Sequence, residues 1–167
     1  MLGADAGSGQ DKNGLKVPGG LAFSEFAGYQ DWAVLEVHNT QDLIKVIVGN
    51  PVTMAAFRSG IPDRGESFPN GSKMAKIEWR PAKSTTLPYD KPSTVYDVDF
   101  IVKDDKRFAD SGGWGYGVFV FDATSNAYKP GTLAHMPPQG NDAKCGFACH
   151  TTVKARDYVF TEYAKRL

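Results

Sequence analysis

The feature that most restricts the fold is a short cluster near the end of the chain. Cys145 and Cys149 are the only cysteines, with three residues between them, and His150 follows the second one directly. This order is typical of a c-type haem attachment site, in which each thiol adds to a haem vinyl group and the histidine binds the iron. The usual spacing is one residue shorter, but the longer loop still lets both sulfurs reach the porphyrin. The sequence therefore predicts covalent haem c with His150 as the proximal iron ligand.

Two other uses of the cysteines stay open, a structural disulfide between them or half of a metal site. A tetrahedral zinc site needs four ligands, and the chain has no third or fourth cysteine to complete one. A disulfide would leave His150 without a role. Both alternatives explain less of the motif than haem attachment does.

Length and charge narrow the class of protein further. A chain of 167 residues is sufficient for one domain with a sizeable core. Nineteen Lys and Arg residues balance nineteen Asp and Glu residues, so nothing favours nucleic acid or an anionic membrane as a partner. No apolar run approaches the ~18 residues of a membrane span.

The N-terminal segment is expected to lie outside the domain. Residues 1–20 are rich in Gly, Asp and Lys, which predicts a flexible arm, and residues 21–167 form the single domain. The segment lacks the apolar stretch of a signal peptide. Because covalent haem c is assembled outside the cytoplasm, we expect a periplasmic bacterial protein whose leader is absent from this chain.

Hydrophobic alternation predicts about five strands joined by links of hairpin length, and hence an α+β fold that is mainly an antiparallel β-sheet with a few helices. The predicted strands cover residues 29–37, 43–48, 72–80, 94–103 and 114–121. Proline and serine over 81–92 predict a long surface connection, and a loop runs from Asp122 to the haem motif. Glycines at 115 and 117 would let a flat group or a neighbouring chain segment approach the last strand closely.

Three helices are predicted between and after these strands. Asn50 as N-cap and Pro51 at the first helical position begin one helix, and Gly60 ends it. Asp104 is expected to cap a short second helix that ends at Phe108. A closing helix from Thr151 onward would have one apolar stripe, formed by Ala155, Val159, Tyr163 and Leu167.

Residues 94–103 form the clearest strand, and their alternation separates two faces. The apolar face consists of Tyr96, Val98, Phe100 and Val102. Asp97 and Asp99 point the opposite way. In the preceding strand Lys76 lies opposite Ala75 and Ile77, and its residue type alone suggests a surface lysine paired with Glu78.

Several stretches together resemble the cytochrome P-460 family, whose relatives include the beta-form cytochromes c-prime. Besides the haem motif, the similar segments are residues 68–76, 102–108, 113–115 and 157–161, and the resemblance spans roughly residues 20 to 165. The resemblance implies a homodimer built on antiparallel sheet, with haem c held against the sheet and a five-coordinate iron.

The resemblance also implies roles for individual residues. In the family a lysine is cross-linked to the porphyrin, and the matching position is Lys76, with Lys73 as a competitor on the other strand face. The family's distal base, a glutamate, is replaced by Asp99, whose side chain is shorter by one methylene. Lys45 matches a distal arginine of the family. The implied function is oxidation of hydroxylamine to nitrous oxide, or to nitric oxide and nitrite, with electrons passing to an external acceptor such as another cytochrome c.

Two other functions stay open. One is a cytochrome that binds nitric oxide or carbon monoxide without turnover, in a pocket lined by aromatic residues drawn from Phe100, Trp114, Phe119 and Phe121. The other is an electron carrier in which His135 or Met136 is the sixth iron ligand. His38, near the end of a strand, is expected to be an exposed turn residue.

Overall fold

The structure, a computed structural model, describes residues 11–19, 21–133 and 146–163. Within these residues the six strands are β1 (Ala33–Asn39), β2 (Ile44–Gly49), β3 (Lys73–Lys83), β4 (Asp90–Lys103), β5 (Trp114–Asp122) and β6 (Ala127–Pro130). The α-helices are α1 (Pro51–Ser59) and α2 (Phe147–His150). Short 3-10 helices cover Lys12–Gly14, Phe23–Phe26, Tyr29–Asp31, Ala109–Ser111 and Thr151–Arg156.

The strands form one sheet in the order of the sequence, and every neighbouring pair is antiparallel. Sequential antiparallel strands need only short connections, which is why the chain can fold back on itself five times within about 100 residues. The predicted fold class, a mainly antiparallel α+β domain, is confirmed. Among the described residues, no helix is long and apolar enough to cross a membrane.

One face of the sheet is covered by the N-terminal part of the chain. Phe23 and Phe26 pack against Phe100, and the rings of Phe26 and Phe100 stack with centroids 4.1 Å apart. Val17 is buried in the same cluster. Residues 11–19 of the predicted arm therefore lie on the sheet, while the division of the chain into an arm and a domain stays a prediction.

The opposite face of the sheet is covered by α1 and by the residues that follow α2. Met54 and Phe57 of α1 pack there with Phe68 and Trp114, as does Val159 near the end of the chain. Neither element reaches across the whole face. As far as the described residues go, they leave part of the face uncovered, and the cavity lies on that side of the sheet.

Helix α1 begins and ends as predicted. Asn50 is its N-cap and accepts a hydrogen bond from the Thr53 amide at 3.0 Å, and Pro51 is the first helical residue. Gly60, with φ 97°, ends the helix in the left-handed conformation that glycine adopts without strain. The two apolar residues predicted to face the core, Met54 and Phe57, are both buried.

The predicted surface connection over residues 81–92 is wrong. β3 continues to Lys83 and β4 begins at Asp90, so that Pro81 pairs with Pro92 inside a hairpin. Prolines are tolerated there because this part of the ladder extends past the ends of β2 and β5 and its register is irregular. The loop predicted after Asp122 likewise contains a short strand, β6.

The predicted closing helix is also wrong. Asp157 and Tyr158 adopt left-handed backbone conformations with φ of 49° and 62°, which stops the 3-10 helix, and residues 159–163 are not helical. Val159 is buried, but Ala155 is exposed, and Leu167 lies outside the described residues. The i+4 stripe was therefore a coincidence of spacing.

The short helix predicted after Asp104 is a turn instead. The Asp104 carboxylate accepts hydrogen bonds from the amides of Lys106 and Arg107, and a 3-10 helix follows over Ala109–Ser111. The close approach predicted at the two glycines of β5 is made by protein side chains. A Cβ at Gly115 would overlap the Phe108 ring, and one at Gly117 would lie 3.0 Å from Leu21.

The Asn50 cap provides the test of how α1 is joined to the sheet. Its side chain accepts hydrogen bonds from the amides of Thr53 and Lys73 and donates one to the Gly71 carbonyl. Asn50→Ala removes these three hydrogen bonds and a fourth, which Asn50 Oδ1 accepts from the Thr53 hydroxyl, and we expect it to lower the free energy of unfolding by about 1–2 kcal/mol. Chemical denaturation measures this, with Asn13→Ala at an exposed site as the control. Equal stability of the two variants would contradict the role assigned to the cap.

Candidate functional site

A cavity of about 360 Å³ lies between the sheet and the segment that follows α2. Its volume is within the range of ~300–1,000 Å³ found for ligand and cofactor sites. The sheet side of the cavity includes Lys45, Ile47, Lys76, Asp99, Ile101 and Val118. The other side includes Cys149, His150, Val159 and Phe160.

Strand register explains why distant residues meet at this wall. Lys76 of β3 is the direct partner of Asp99 in β4, which in turn is the partner of Val118 in β5. Lys45 of β2 is opposite Glu78, the next β3 residue on the same face. Since alternate residues of a strand share a face, the antiparallel ladder collects all of these side chains on one side of the sheet.

The charged side chains of the wall form a chain of ion pairs. Lys76 Nζ lies 2.5 Å from Asp99 Oδ2 and 2.9 Å from Glu78 Oε1, and Lys45 Nζ lies 3.1 Å from the same Glu78 oxygen. The pairing of Lys76 with Glu78 that the sequence suggested is therefore present. Glu78 is buried at 4% exposure, which is tolerable because two cations contact it.

Burial and charge act differently on the three carboxylates of this cluster. Burial raises the pKa of Asp97 from its ordinary value of 3.8 to about 7, and the charges of Asp99 and Glu78 add to the rise. Burial also raises the pKa of Asp99, against the opposing charge of Lys76. For Glu78 the effect of burial is outweighed by its two lysine partners, and its pKa is lowered. Glu78 is thus held ionised, while the two aspartates bind protons more readily than aspartates in water.

His150 lies on the other side of the cavity, at the C-terminal end of α2. Its Nδ1–H donates a hydrogen bond to the Tyr158 carbonyl at 2.6 Å, and its ring contacts those of Tyr116 and Phe160 with centroid distances of 5.0 and 5.1 Å. Burial lowers the pKa of His150, and the charge of Lys76 lowers it further. A neutral imidazole whose Nδ1 is bound to a carbonyl has Nε2 available for a metal, which is the usual arrangement of a histidine ligand.

The structure brings most of the predicted site residues to this one cavity. Lys45, Lys76 and Asp99 lie on the sheet side, and Cys149 and His150 lie opposite them. Their assigned roles stay predictions.

Three other predicted residues cannot be placed. Cys145, the second predicted thioether cysteine, lies outside the described residues, as do His135 and Met136, the alternative sixth ligands. Lys73, the competitor of Lys76, donates a hydrogen bond to the Glu25 carbonyl on the opposite face of the sheet, away from the cavity.

Sequence reasoning missed part of the site. His38 is exposed as expected, but it belongs to β1, pairs with Glu36 at 3.0 Å and borders the cavity. Asp97 was recognised as facing away from the apolar side of β4 but was not given a role. The signal was present, because Asp97 shares a strand face with Asp99.

Of the four aromatic residues expected to line a gas-binding pocket, Phe100 borders the cavity, and Trp114, Phe119 and Phe121 do not. The rings of Phe100 and Phe119 belong to the core on the opposite face of the sheet. Trp114 is buried beside Phe68, and the aromatic residues that border the cavity are Phe100, Tyr116 and Phe160. The sheet wall that carries the ion pairs is therefore charged, although aromatic side chains were expected to line a gas-binding pocket.

The residues of the cavity fit a haem. Apolar side chains line much of it, a neutral histidine with an oriented ring lies on one side, and a cysteine of the attachment motif is adjacent to that histidine. On the other side, Asp99 Oδ1 is buried without a hydrogen-bond partner among the described residues, as expected of an atom that faces a group still to be bound.

A domain built on an antiparallel sheet, with a histidine-bearing cavity on one face, is unlike the all-helical c-type cytochromes. Comparison with known families makes the class specific. The chain matches Cytochrome P460 over residues 26–161 and belongs to that family, which is a family of haem cytochromes. No curated protein matches the chain significantly.

The raised pKa of Asp97 predicts how stability depends on pH. Between about pH 4 and pH 7 the folded protein retains a proton on Asp97 that the unfolded chain releases. The folded state therefore becomes less stable relative to the unfolded state as the pH rises through that window. Asparagine cannot ionise. We therefore expect Asp97→Asn to raise the melting temperature relative to wild type more at pH ~8 than at pH ~5.

Thermal unfolding followed by circular dichroism across this pH range measures the effect. Asp110→Asn, at an exposed position outside the cavity, is the control and should follow the wild-type profile. Parallel profiles for Asp97→Asn and wild type would contradict the assigned protonation.

Proposed function

We propose that this protein is a c-type haem oxidoreductase that oxidises hydroxylamine. Cys145 and Cys149 would hold the haem through thioether bonds, and His150 would bind its iron. The proposal rests on family membership for the haem and on one observation for the chemistry, namely a buried carboxylate with an unpartnered oxygen on the wall opposite the histidine.

The reaction needs a proton acceptor. Two hydroxylamine molecules give one nitrous oxide and one water, with the release of four protons and four electrons. The haem would bind the substrate through its nitrogen and transfer the electrons to an external acceptor, for which another cytochrome c is suitable. The protons must leave by another path, and a positioned general base is typically worth a factor of about 10² to 10⁴ in rate.

Asp99 is the residue best placed to accept these protons. Its Oδ2 contacts Lys76 Nζ, which fixes the orientation of the carboxylate, and its Oδ1 has no hydrogen-bond partner among the described residues. Oδ1 is therefore the atom that would take the proton. The raised pKa of Asp99 makes it a stronger base than an exposed aspartate.

A second carboxylate lies further along the same strand face. Asp97 is two residues from Asp99, which separates their Cα atoms by about 7 Å, and it is the cross-strand partner of Glu78. With a pKa of about 7 it can both accept and release a proton near neutral pH. Lys45 holds Glu78 ionised from the other side. We propose that the cluster takes protons from Asp99 and passes them away from the cavity.

Lys76 is the proposed site of the family's lysine–porphyrin cross-link. Its Nζ lies at the cavity wall, 20% exposed, between two carboxylates. The competing Lys73 lies on the other face of the sheet. A cross-link would change the electronic structure of the haem, which is one way that a protein tunes its cofactor.

A gas-binding cytochrome is the second candidate. The observation in its favour is that Asp99 Oδ2 is already engaged by Lys76 while Ile47, Ile101 and Val118 make much of the wall apolar. Such a site would hold nitric oxide or carbon monoxide without turnover. The charged cluster favours the enzyme, because a pocket that only stores an apolar gas gains nothing from buried charges.

Location and assembly are also proposals. Haem c attachment outside the cytoplasm implies a periplasmic protein, and the family resemblance implies a homodimer. The electron carrier with His135 or Met136 as sixth ligand remains a third possibility, which the spectra below would reveal.

Asp99→Ala tests the proton acceptor. Lys76 keeps its ion pair with Glu78 in this variant, so we expect the fold and the haem spectrum to be retained. Loss of the base should lower kcat for hydroxylamine oxidation by about 10² or more. The assay follows reduction of an artificial electron acceptor and measures nitrous oxide by gas chromatography.

The matched control is Asp110→Ala, an exposed aspartate outside the cavity. Undiminished activity in Asp99→Ala would remove Asp99 from the mechanism. Absence of turnover in the wild type, combined with tight carbon monoxide binding, would favour the gas-binding candidate.

Lys76→Met tests the cross-link. If the lysine is attached to the porphyrin, the dithionite-reduced wild type should show a broad, strongly red-shifted Soret band, and the methionine variant should show an ordinary five-coordinate haem c spectrum. Lys73→Met, on the same strand but the opposite face, is the control and should keep the wild-type spectrum. An ordinary spectrum in the wild type would contradict the cross-link, and sharp six-coordinate bands would indicate the electron carrier.

A further inference from the structure

A buried ion pair joins the end of β4 to the segment that follows the haem motif. Lys103 Nζ lies 3.0 Å from Asp157 Oδ1 and donates a hydrogen bond to the Gly112 carbonyl at 3.0 Å. The side chains are only 4% and 8% exposed. Asp105 Oδ1 lies further from the amine, at 3.3 Å. The lysine is thus bound from several directions and holds Asp157 against the sheet.

The second oxygen of Asp157 is also engaged. Asp157 Oδ2 accepts a hydrogen bond from the Phe68 amide at 2.8 Å, so the carboxylate connects the loop before β3 with the end of β4. Asp157 itself has a left-handed backbone conformation, with φ 49° and ψ 42°. Two anchors on one short side chain fix the backbone at this position.

The next residue contacts the histidine. Tyr158 also has a positive φ, 62°, and its carbonyl accepts the hydrogen bond from His150 Nδ1–H. Its amide donates to the Val153 carbonyl. Its ring rests on Gly112, where an added Cβ would overlap the ring. The direction of the Tyr158 carbonyl is therefore determined by the fixed backbone at residue 157 and by the packing of the Tyr158 ring against Gly112.

We infer that the buried Lys103–Asp157 ion pair positions His150 by fixing the Tyr158 carbonyl that orients its ring. This inference rests on the proposed function, in which His150 binds the haem iron. Lys103 and Asp157 are positioning residues, since neither touches the cavity. Partners of this kind set the orientation of a histidine ligand and its strength as an electron donor to the metal.

A role in stability alone would not explain the arrangement. A buried ion pair is often no more stabilising than two packed apolar residues of similar size. This pair joins elements that are 54 residues apart in sequence, and the residue it fixes is adjacent to the one whose carbonyl accepts the hydrogen bond from His150. The two interpretations differ in one observable, the bond between iron and histidine in protein that remains folded.

The experiment compares haem-loaded wild type with Asp157→Ala and Asp157→Asn. Resonance Raman spectroscopy of the dithionite-reduced protein measures the iron–histidine stretching band. Asp157→Ala removes both anchors, and we expect the band to broaden and shift to lower frequency, because a loosened carbonyl polarises the imidazole less. Asp157→Asn retains an acceptor for the Phe68 amide and tolerates the left-handed backbone, so its shift should be smaller.

Asp63→Asn is the matched control. Asp63 forms an ion pair at 2.8 Å with Arg156 of the same segment, but its side chain is 72% exposed, and the band should not change.

Melting temperatures are measured in parallel to show that each sample is folded. A wild-type band in folded Asp157→Ala, or in Asp157→Asn if the alanine variant does not fold, would overturn the inference. Absence of any iron–histidine band in the wild type would show that the reduced haem is not five-coordinate with histidine as its axial ligand, and would overturn both the proposed function and this inference.

Discussion

The pairing of β3 with β4 is the constraint on which the rest of the structure depends. It places Lys76 directly opposite Asp99 and Ala75 opposite Phe100. Because neighbouring residues of a strand face opposite sides, a slip of one residue in this register would move the charges into the apolar core and the phenylalanine into the cavity. One set of backbone hydrogen bonds therefore specifies both the apolar face of the sheet and the face that carries the charged residues of the cavity.

The two faces of the sheet are covered in different ways. On one face, phenylalanine and tyrosine rings from residues 23–29 fill the space above Phe100, with edge-to-face and stacked contacts. On the other, α1 packs on one part of the face, and the segment after α2 encloses the cavity between itself and the strands. Lys103 joins that segment to the sheet through Asp157. Among the described residues, the cavity is thus bounded by the sheet and by this one segment.

Local patterns predicted the parts of this structure that depend on neighbouring residues. Alternation located β4 and put Asp99 on the face opposite Phe100, and the cap at Asn50 marked the start of α1. The predictions that were wrong concern segments whose conformation is determined by contacts with residues distant in sequence. The backbone at Asp157 is set by Lys103, 54 residues away, which no periodicity reveals, and the prolines of the hairpin are accommodated because neighbouring strands stop short. The cysteine motif indicated the cofactor, but only the register showed which carboxylates share its cavity.

Burying charged side chains in the wall of the cavity costs free energy, and this cost is an argument that the charges serve a function. The opposite face shows that this chain can cover strands with apolar rings, yet beside the cavity it places two lysines and three carboxylates, with Glu78 almost fully buried. Buried ion pairs seldom stabilise a fold more than apolar side chains of the same size, and Asp97 and Asp99 each retain a buried oxygen without a hydrogen-bond partner among the described residues. Strongly shifted carboxylates of this kind are typical of sites that transfer protons. A haem that only carried electrons or held a gas would need none of them, whereas oxidising a substrate that loses protons needs groups able to take them.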